Sequence, residues 1–262
     1  MMKALFTSAT GMQAHSTVVD TTANNLANVD TTGFKRSQVE FQDLMYQTVR
    51  APGTQGANGL EIPTGIQIGS GVRTSGISKI FSPGAMENTS NQNDVSIQGQ
   101  GFFQVAMPNG DFRYTRDGSF RQNSAGQLVT ADGFLLQPPI SIPSDAQEVT
   151  IGTDGTVSVV TASTPTATPV GNLSLTRFPN PGGLSSEGRN LFAETSASGA
   201  AAQGTPGENG LGTLQQGFLE RSNVQVVTEM IRLITAQRAF EASQRAVLTS
   251  DQMLQATNGM VR

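Results

Sequence analysis

The 262-residue sequence contains no cysteine and no tryptophan, and it has a single histidine. The absence of cysteine excludes disulfide bonds and thiolate metal sites, and it is compatible with any redox compartment. A run of about 18 apolar residues is also missing, which excludes a membrane-spanning helix. Residues 1–14 carry one lysine and no long apolar segment. We therefore expect no cleaved secretory signal peptide.

Charged residues are scarce as well. Only 14% of the residues are charged, whereas an average globular protein has about 25%. The 16 basic and 20 acidic residues give a net charge of −4 without a basic stripe, so a nucleic-acid partner is disfavoured. Serine, threonine, asparagine, glutamine and glycine take the place of charges. A polar surface of this kind is easily desolvated, which suits burial against neighbouring proteins.

The sequence offers no candidate for catalysis. His15 lies in a predicted helix near Ser16 and Asp20, but a catalytic triad needs groups that converge from a scaffold, and a histidine packed on a helix face is the favoured interpretation. Gly99 and Gly101 lack the third glycine of the dinucleotide fingerprint, and no P-loop is present. The Asp-Gly pairs lack the spaced acids of a calcium loop. We predict no catalytic, cofactor or metal site.

Both ends of the chain predict long helices, over about residues 5–28 and 224–257. Apolar residues recur every seven positions at both ends: Leu5, Met12, Val19 and Leu26, then Val226, Leu233, Phe240, Val247 and Leu254. This repeat is typical of a helical seam and indicates that the two helices pair with each other as a coiled coil. Two ordinary amphipathic helices packed on a β-domain are an equally good interpretation.

The middle of the chain predicts β-structure, because apolar residues alternate around four dipeptides that favour tight hairpins. These are Asn109-Gly110, Asp117-Gly118, Asp132-Gly133 and Asp154-Gly155. Residues 46–63 and 182–217 are predicted to be weakly structured. The expected fold is α+β with several domains. Residues 1–45 and 218–262 form the helical domain, 46–80 an extended connection, and 81–217 a central antiparallel all-β domain.

Longer motifs accompany these patterns. The first helix ends in Asn24, Asn25, Leu26, Ala27 and Asn28, followed by Gly33, Phe34 and Lys35. A Tyr-Thr-Arg-Asp-Gly-Ser-Phe run occupies residues 114–120, and residues 212–224 include Glu220, Ser222 and Asn223. In this order, and over essentially the whole chain, the motifs resemble those of the bacterial flagellar rod and hook family. The resemblance implies a structural protein without enzymatic activity.

The segment after the first helix resembles a stretch that distinguishes distal rod subunits from hook subunits in that family. It includes Tyr46, Gln47, Thr48, Arg50, Pro52 and Gly53. The resemblance implies a subunit of the distal rod that assembles into a rigid helical tube and transmits motor torque to the hook. A proximal rod or hook-type subunit is the alternative within the family. A peptidoglycan-binding or cell-wall-degrading module is the alternative from another class, but it lacks an acid–base constellation.

The resemblance also implies a set of partners and a location. The partners are many copies of the chain itself, the proximal rod proteins, the hook protein, the P and L ring proteins, the type III export apparatus and the rod-cap muramidase. The location is the flagellar basal body across the periplasm, reached without a cleaved signal peptide. Neither nucleic acid, membrane insertion nor a cofactor is expected.

Overall fold

A computed structural model of the chain describes residues 2–53, 64–162 and 166–260. The chain divides into two compact units. The first, here called the helical unit, contains residues 1–26, 37–78 and 226–262, and the second, the β unit, contains residues 27–36 and 79–225. The chain therefore crosses from one unit to the other four times.

The helical unit contains the two long helices that the seven-residue repeats predict. Helix α1 spans Met2–Ala27 and helix α2 spans Val226–Met260. The described strands of this unit are β1 (Ser37–Asp43), β2 (Gln47–Arg50), β3 (Ile66–Ile68) and β4 (Val72–Lys79). Strand β1 pairs with β4, and β2 pairs antiparallel with β3.

Helices α1 and α2 lie side by side and run in opposite directions. Asn25 donates to the Glu229 carboxylate over 3.2 Å, and a Cβ built on Gly11 would lie 3.5 Å from Ser243 Oγ. The two contacts are 14 residues apart on each helix, so the antiparallel register is constant across about four turns. The fully buried residues of the helices are small or polar: Ala14, Thr22, Asn25, Glu229, Ala236 and Ser250.

The β unit consists of short strands, as the alternating apolar residues predict. The strands are β5 (Met86–Asn88), β6 (Val95–Gln98), β7 (Phe103–Ala106), β8 (Phe112–Thr115), β9 (Arg121–Gln122), β10 (Leu128–Val129), β11 (Leu135–Gln137), β12 (Ala146–Ile151), β13 (Thr156–Thr161), β14 (Thr168–Asn172), β15 (Leu175–Arg177), β16 (Ser185–Gly188), β17 (Leu191–Ala193), β18 (Ala202–Gly204), β19 (Thr213–Gln216) and β20 (Phe218–Glu220). A 3₁₀ turn spans Pro181–Gly183.

The largest sheet has seven antiparallel strands in the order β16-β17-β8-β7-β11-β10-β9. Strands β12, β13 and β14 form a second antiparallel sheet, and β15-β18, β19-β6 and β20-β5 form antiparallel pairs. The fold is therefore α+β, with two terminal helices and a mostly antiparallel β region between them.

Two apolar clusters stabilise the β unit. The larger cluster includes Ile97, Phe103, Leu136 and Val157, all fully inaccessible to solvent. The smaller one is aromatic, and its rings meet edge to face at centroid distances between 4.7 and 5.9 Å, a geometry that aromatic quadrupoles favour. Its members are Phe81, Phe102, Tyr114, Phe178 and Phe192.

Three of the four predicted hairpin turns are confirmed, and one prediction is wrong. The glycines at 110, 133 and 155 have positive φ values of 88–89° and connect antiparallel strands. Asp117-Gly118 does not form a hairpin. Its glycine accepts a hydrogen bond from Val95 N over 3.1 Å, and a Cβ there would lie 1.7 Å from Val95 O. This glycine is needed for close packing of two backbones.

Two segments predicted to be weakly structured contain strands, so that prediction is wrong. Residues 182–217 include β16 to β19, which pair with other strands despite their high content of Gly, Ser and Ala. Within residues 46–63, β2 pairs with β3 beyond the segment. Pairing with a partner distant in sequence overrides weak local propensity. Residues 54–63 lie outside the described part of the chain.

Candidate functional site

Three charged side chains meet in the interior of the β unit. Lys35 Nζ lies 2.5 Å from Glu220 Oε1, and the Arg116 guanidinium lies 2.8 Å from Glu220 Oε2. The exposed fractions of Lys35, Glu220 and Arg116 are only 0%, 2% and 4%. We call these three residues the buried ion cluster. It has one more positive than negative charge, so Glu220 is the only anion that compensates two buried cations.

Backbone groups complete the coordination of the cluster. Glu220 Oε1 also accepts from Gly84 N over 2.8 Å, and Lys35 Nζ also donates to Ser82 O over 2.8 Å. Arg116 Nη1 donates to two further carbonyls, those of Gly99 and Gly101. Each carboxylate oxygen of Glu220 thus accepts from two donors. Full satisfaction of this kind is what a buried charge requires.

Burial lowers the pKa of both cations of the cluster. Desolvation lowers the pKa of Lys35 below 10.5, because it exceeds the opposing attraction of Glu220, and Arg116 lowers this pKa further. Desolvation also lowers the pKa of Arg116, again against the attraction of Glu220. The surroundings therefore disfavour charge at both sites, and the Glu220 carboxylate offsets that penalty.

The cluster joins the three motif regions that are far apart in sequence. Lys35 lies at the end of the first motif, Arg116 lies in the central one and Glu220 in the last. Gly33 also serves this junction: its φ is +66°, and a Cβ there would lie 2.7 Å from Asp117 N. Next to it, Lys79 Nζ lies 4.9 Å from the centroid of the Phe34 ring. The motif residues therefore form a packed structural junction.

Two asparagines of the motifs form hydrogen bonds with backbone on either side of the unit boundaries. In the helical unit, Asn25 binds both backbone groups of Ser37: its Oδ1 accepts from Ser37 N over 2.8 Å and its Nδ2 donates to Ser37 O over 2.9 Å. In the β unit, Asn223 Oδ1 accepts from Arg36 N over 2.8 Å, and Nδ2 donates to Ile80 O over 2.8 Å. The remaining motif residues Asn24 and Ala27 are exposed, and Asn28 and Leu26 are half-buried.

The apolar residues predicted to form the helical seam lie on the half-buried side of both helices. Half-buried residues are Leu5, Met12, Val19, Leu26, Leu233, Phe240, Val247 and Leu254, while Val226 is 37% exposed. On α2 they alternate with Glu229, Ala236, Ser243 and Ser250 at spacings of three and four residues. That spacing places both sets on one face of the helix.

The segment predicted to be specific to the rod lies on the surface of the helical unit. Gln47, Thr48 and Arg50 belong to strand β2, and Pro52 and Gly53 form the turn that follows. All are exposed, as is Tyr46. Residues 54–63 of the predicted extended connection lie outside the described residues.

In the described residues, no group of three or more His, Asp or Glu side chains converges as a metal site. His15 is half-buried on α1, as expected for a histidine on a helix face. None of the described helices is long and apolar enough to cross a membrane.

Comparison with known proteins decides the family. Residues 5–35 match the family described as flagella basal body rod protein, residues 96–159 the flagellar hook protein FlgE/F/G D1 domain, and residues 215–260 the C-terminal region of the flagellar basal body rod FlgEFG proteins. The flagellar basal-body rod protein FlgG of Caulobacter vibrioides is 46% identical over 98% of both chains. The chain belongs to the FlgG family of flagellar basal-body rod proteins.

Other relatives agree with this assignment. FlgG of Buchnera aphidicola subsp. Acyrthosiphon pisum is 46% identical over 97% of this chain and 98% of its own. FlgG of Borreliella burgdorferi is 44% identical over the full length of both chains. The predictions of a structural flagellar rod subunit and of no enzymatic activity are confirmed.

From the sequence, Arg116, Glu220 and Asn223 are identified only as residues of the family motifs. Their role at the junction was missed, although one signal was available. In a rod protein with so few charges, an Arg, a Lys and a Glu that all lie within motifs are candidates for a shared buried site.

Proposed function

We propose that this FlgG-family chain is the subunit of the distal rod and that it self-assembles into a rigid helical tube transmitting motor torque to the hook. One observation carries the proposal. The helical unit exposes large apolar side chains on both helices and on its strands, and the described part of the β unit exposes only Phe112 and Val170 in this way. Extensive exposed apolar surface marks sites of protein association.

Four of the exposed apolar residues of α2 form a stripe over its first turns, away from the half-buried seam. They are Val227, Met230, Ile231 and Ile234, and Val227 is 70% exposed. Their spacing of three and four residues puts them on one face of the helix. Because α2 already contacts α1 through another face, this stripe is available for neighbouring subunits. Repetition of such a heterologous contact by rotation and rise generates a filament.

The pairing of α1 and α2 as a coiled coil is part of this proposal. The constant antiparallel register between the contacts at Asn25 and at Gly11 supports it. So does the alternation of half-buried apolar and buried small residues along α2. Pairing through the seam residues leaves the opposite helix faces for contacts between subunits.

The segment of β2 and β3 supports the assignment to the distal rod. Met45 is 88% exposed, and Tyr46, Val49, Ile66 and Ile68 are also exposed. A two-stranded hairpin that presents a row of apolar side chains is marginal on its own. Contact with adjacent subunits would bury this row and stiffen the rod.

Family membership supports the remaining parts of the proposal. The relatives are rod proteins of the flagellar basal body. We infer that the partners of this chain are further copies of itself, the proximal rod and hook proteins, the P and L ring proteins, the type III export apparatus and the rod-cap muramidase. The inferred location is the periplasmic span of the basal body, after export without a cleaved signal peptide.

The test compares two identical substitutions in a strain that lacks its own distal rod subunit. Val227→Glu places a charge on the exposed stripe of α2, and Val170→Glu places the same charge on an exposed residue of the β unit. We expect Val227→Glu to abolish rod assembly and swimming, because burial of an unpaired charge between subunits is costly. Val170→Glu should leave both intact. Circular dichroism of the purified chains checks that both variants fold.

A third variant tests the position within the axial structure. Removal of residues 46–61 should leave the folded β unit unchanged but should give rods that are curved or flexible in electron micrographs. Straight rods of normal stiffness would contradict the distal rod assignment. Normal assembly of Val227→Glu would contradict self-assembly through the α2 stripe.

A further inference from the structure

Two asparagine side chains lie near the four points at which the chain crosses between the units. The crossings lie between residues 26 and 27, 36 and 37, 78 and 79, and 225 and 226. Asn25 and Asn223 are each within three residues of one crossing, and each forms hydrogen bonds with segments at others. Asn25 acts only on atoms of the helical unit, and Asn223 only on atoms of the β unit.

On the side of the helical unit, Asn25 connects three segments that lead to crossings. It lies at the end of α1, it forms two hydrogen bonds with the backbone of Ser37, and it donates to Glu229 in the first turn of α2. Its exposed fraction is 1%. The paired bonds to one residue reproduce a rung of a β-ladder, which fixes both position and direction of the strand that begins there.

On the side of the β unit, Asn223 does the same for the other ends. Its Oδ1 accepts from Arg36 N over 2.8 Å, and its Nδ2 donates to Ile80 O over 2.8 Å and to Ser82 O over 3.2 Å. Its own backbone N donates to Phe34 O over 3.4 Å. The segments before residue 37, after residue 78 and before residue 226 are therefore held by one side chain.

We propose that Asn25 and Asn223 are load-sharing clamps that fasten the chain connections on each side of the unit boundary. The inference rests on the proposed role in torque transmission. A force that passes along the chain from one unit to the other runs through these four connections. Segments fastened to each other carry the force in parallel, whereas unfastened segments peel away one hydrogen bond at a time. An amide side chain fits both places, because each asparagine uses its oxygen as acceptor and its nitrogen as donor.

Asn→Asp substitutions test the clamps with almost no change in shape. In Asn223→Asp the oxygen that replaces Nδ2 faces the carbonyl oxygens of Ile80 and Ser82, and in Asn25→Asp it faces Ser37 O and the Glu229 carboxylate. The milder Asn25→Ser removes the Nδ2 amide without adding charge, and its single, shorter hydroxyl cannot replace all three hydrogen bonds of the asparagine. Asn24→Asp is the matched control in the same motif, since Asn24 is exposed. Asn180→Asp is the control in the β unit, where its amide donates only to Ala197 O.

The first measurement is hydrogen exchange of the purified full-length chain, which does not depend on the proposed function. The backbone N–H of Ile80 donates to Arg36 O, so it reports on the segments that Asn223 fastens. We expect Asn223→Asp to accelerate exchange in peptides covering residues 34–37 and 79–84 by about tenfold or more. We expect Asn25→Ser to do so for residues 37–40. Unchanged exchange in these peptides would overturn the proposal.

The second measurement is swimming speed at increasing medium viscosity in cells that depend on the variant. Cells with Asn223→Asp or Asn25→Ser should build a normal number of flagella but lose speed more steeply with viscosity than the controls. Ile140→Val, a small truncation in the core of the β unit, controls for a general loss of stability. Speed equal to that of Ile140→Val at every viscosity, or absence of flagella, would overturn the clamp role. The proposed function fails separately, if Val227→Glu assembles normally.

Discussion

Glu220→Gln is the most informative single change in the buried ion cluster. The carboxylate has two oxygens, and each accepts from two donors: Oε1 from Lys35 and Gly84, and Oε2 from two nitrogens of Arg116. The amide that replaces it has one oxygen and one NH₂ group, so one pair of donors must face another donor. The substitution also removes the only negative charge beside two cations that are at least 96% buried by accessible area.

The expected loss of unfolding free energy is about 3–5 kcal/mol, the range found when one partner of a buried ion pair is removed. Glu187→Gln is the matched control. It makes the same chemical change in a pair with Arg113 at 2.6 Å whose side chains are 19% and 41% exposed. Such exposed pairs contribute only about 0–1 kcal/mol.

Urea unfolding followed by circular dichroism separates the two outcomes. With an m value of roughly 3 kcal/mol/M, the midpoint of Glu220→Gln should fall by about 1–2 M. Lys35→Met should cost less than Glu220→Gln, because it leaves Glu220 and Arg116 as a neutral pair. The reasoning is refuted if Glu220→Gln destabilises the chain no more than Glu187→Gln does.

Two further predictions concern the β unit. Burial, together with the nearby Glu194 carboxylate, raises the pKa of Tyr114 above 10.0, so in the Tyr46→Phe variant the single remaining phenol should ionise above pH 10.0 in an ultraviolet absorbance titration. The folded state holds this proton more tightly than the unfolded chain. The stability contributed by Tyr114 is therefore complete below pH 10 and is lost as the pH rises through the higher pKa of Tyr114 in the folded chain. Ionisation at or below pH 10.0 in the folded chain would contradict this. Gly33→Ala should destabilise the chain by more than about 1 kcal/mol, since its φ of +66° is strained for alanine and the added Cβ would lie 2.7 Å from Asp117 N. Gly110→Ala is the control, because its φ is +89° but the space around it is open. Equal midpoints of thermal unfolding for the two variants would disprove the effect of the close contact.

Local pattern and chemistry explain why some of the fold was predictable. The seven-residue repeats that begin at Leu5 and Val226 predict helices because helical periodicity is a property of neighbouring residues. The turns at Gly110, Gly133 and Gly155 follow from the need for positive φ in tight hairpins. Gly118 has the same dipeptide but does not form a hairpin, because its role is set by Val95, more than twenty positions earlier in the chain.

The candidate site was less predictable, because it depends on contacts between distant parts of the chain. Lys35 and Glu220 are separated by 185 positions, and no spacing rule relates them. The same holds for the contact of α1 with α2, where Gly11 and Ser243 carry little signal in a hydrophobic pattern. The repeat predicts which face of each helix is apolar, but not which small residues allow the helices to meet.

The positions of three charged residues and of the exposed apolar residues help to explain why the chain has so few charges. The β unit places Lys35, Arg116 and Glu220 inside, where they join three motif segments. The first turns of α2 expose an apolar stripe that bears little charge, and of this stripe Val227 is the most exposed member. A chain that has few charges and exposes apolar faces gains little stability as a monomer from those faces. It gains most when copies cover them, which is the condition of a subunit inside a rod.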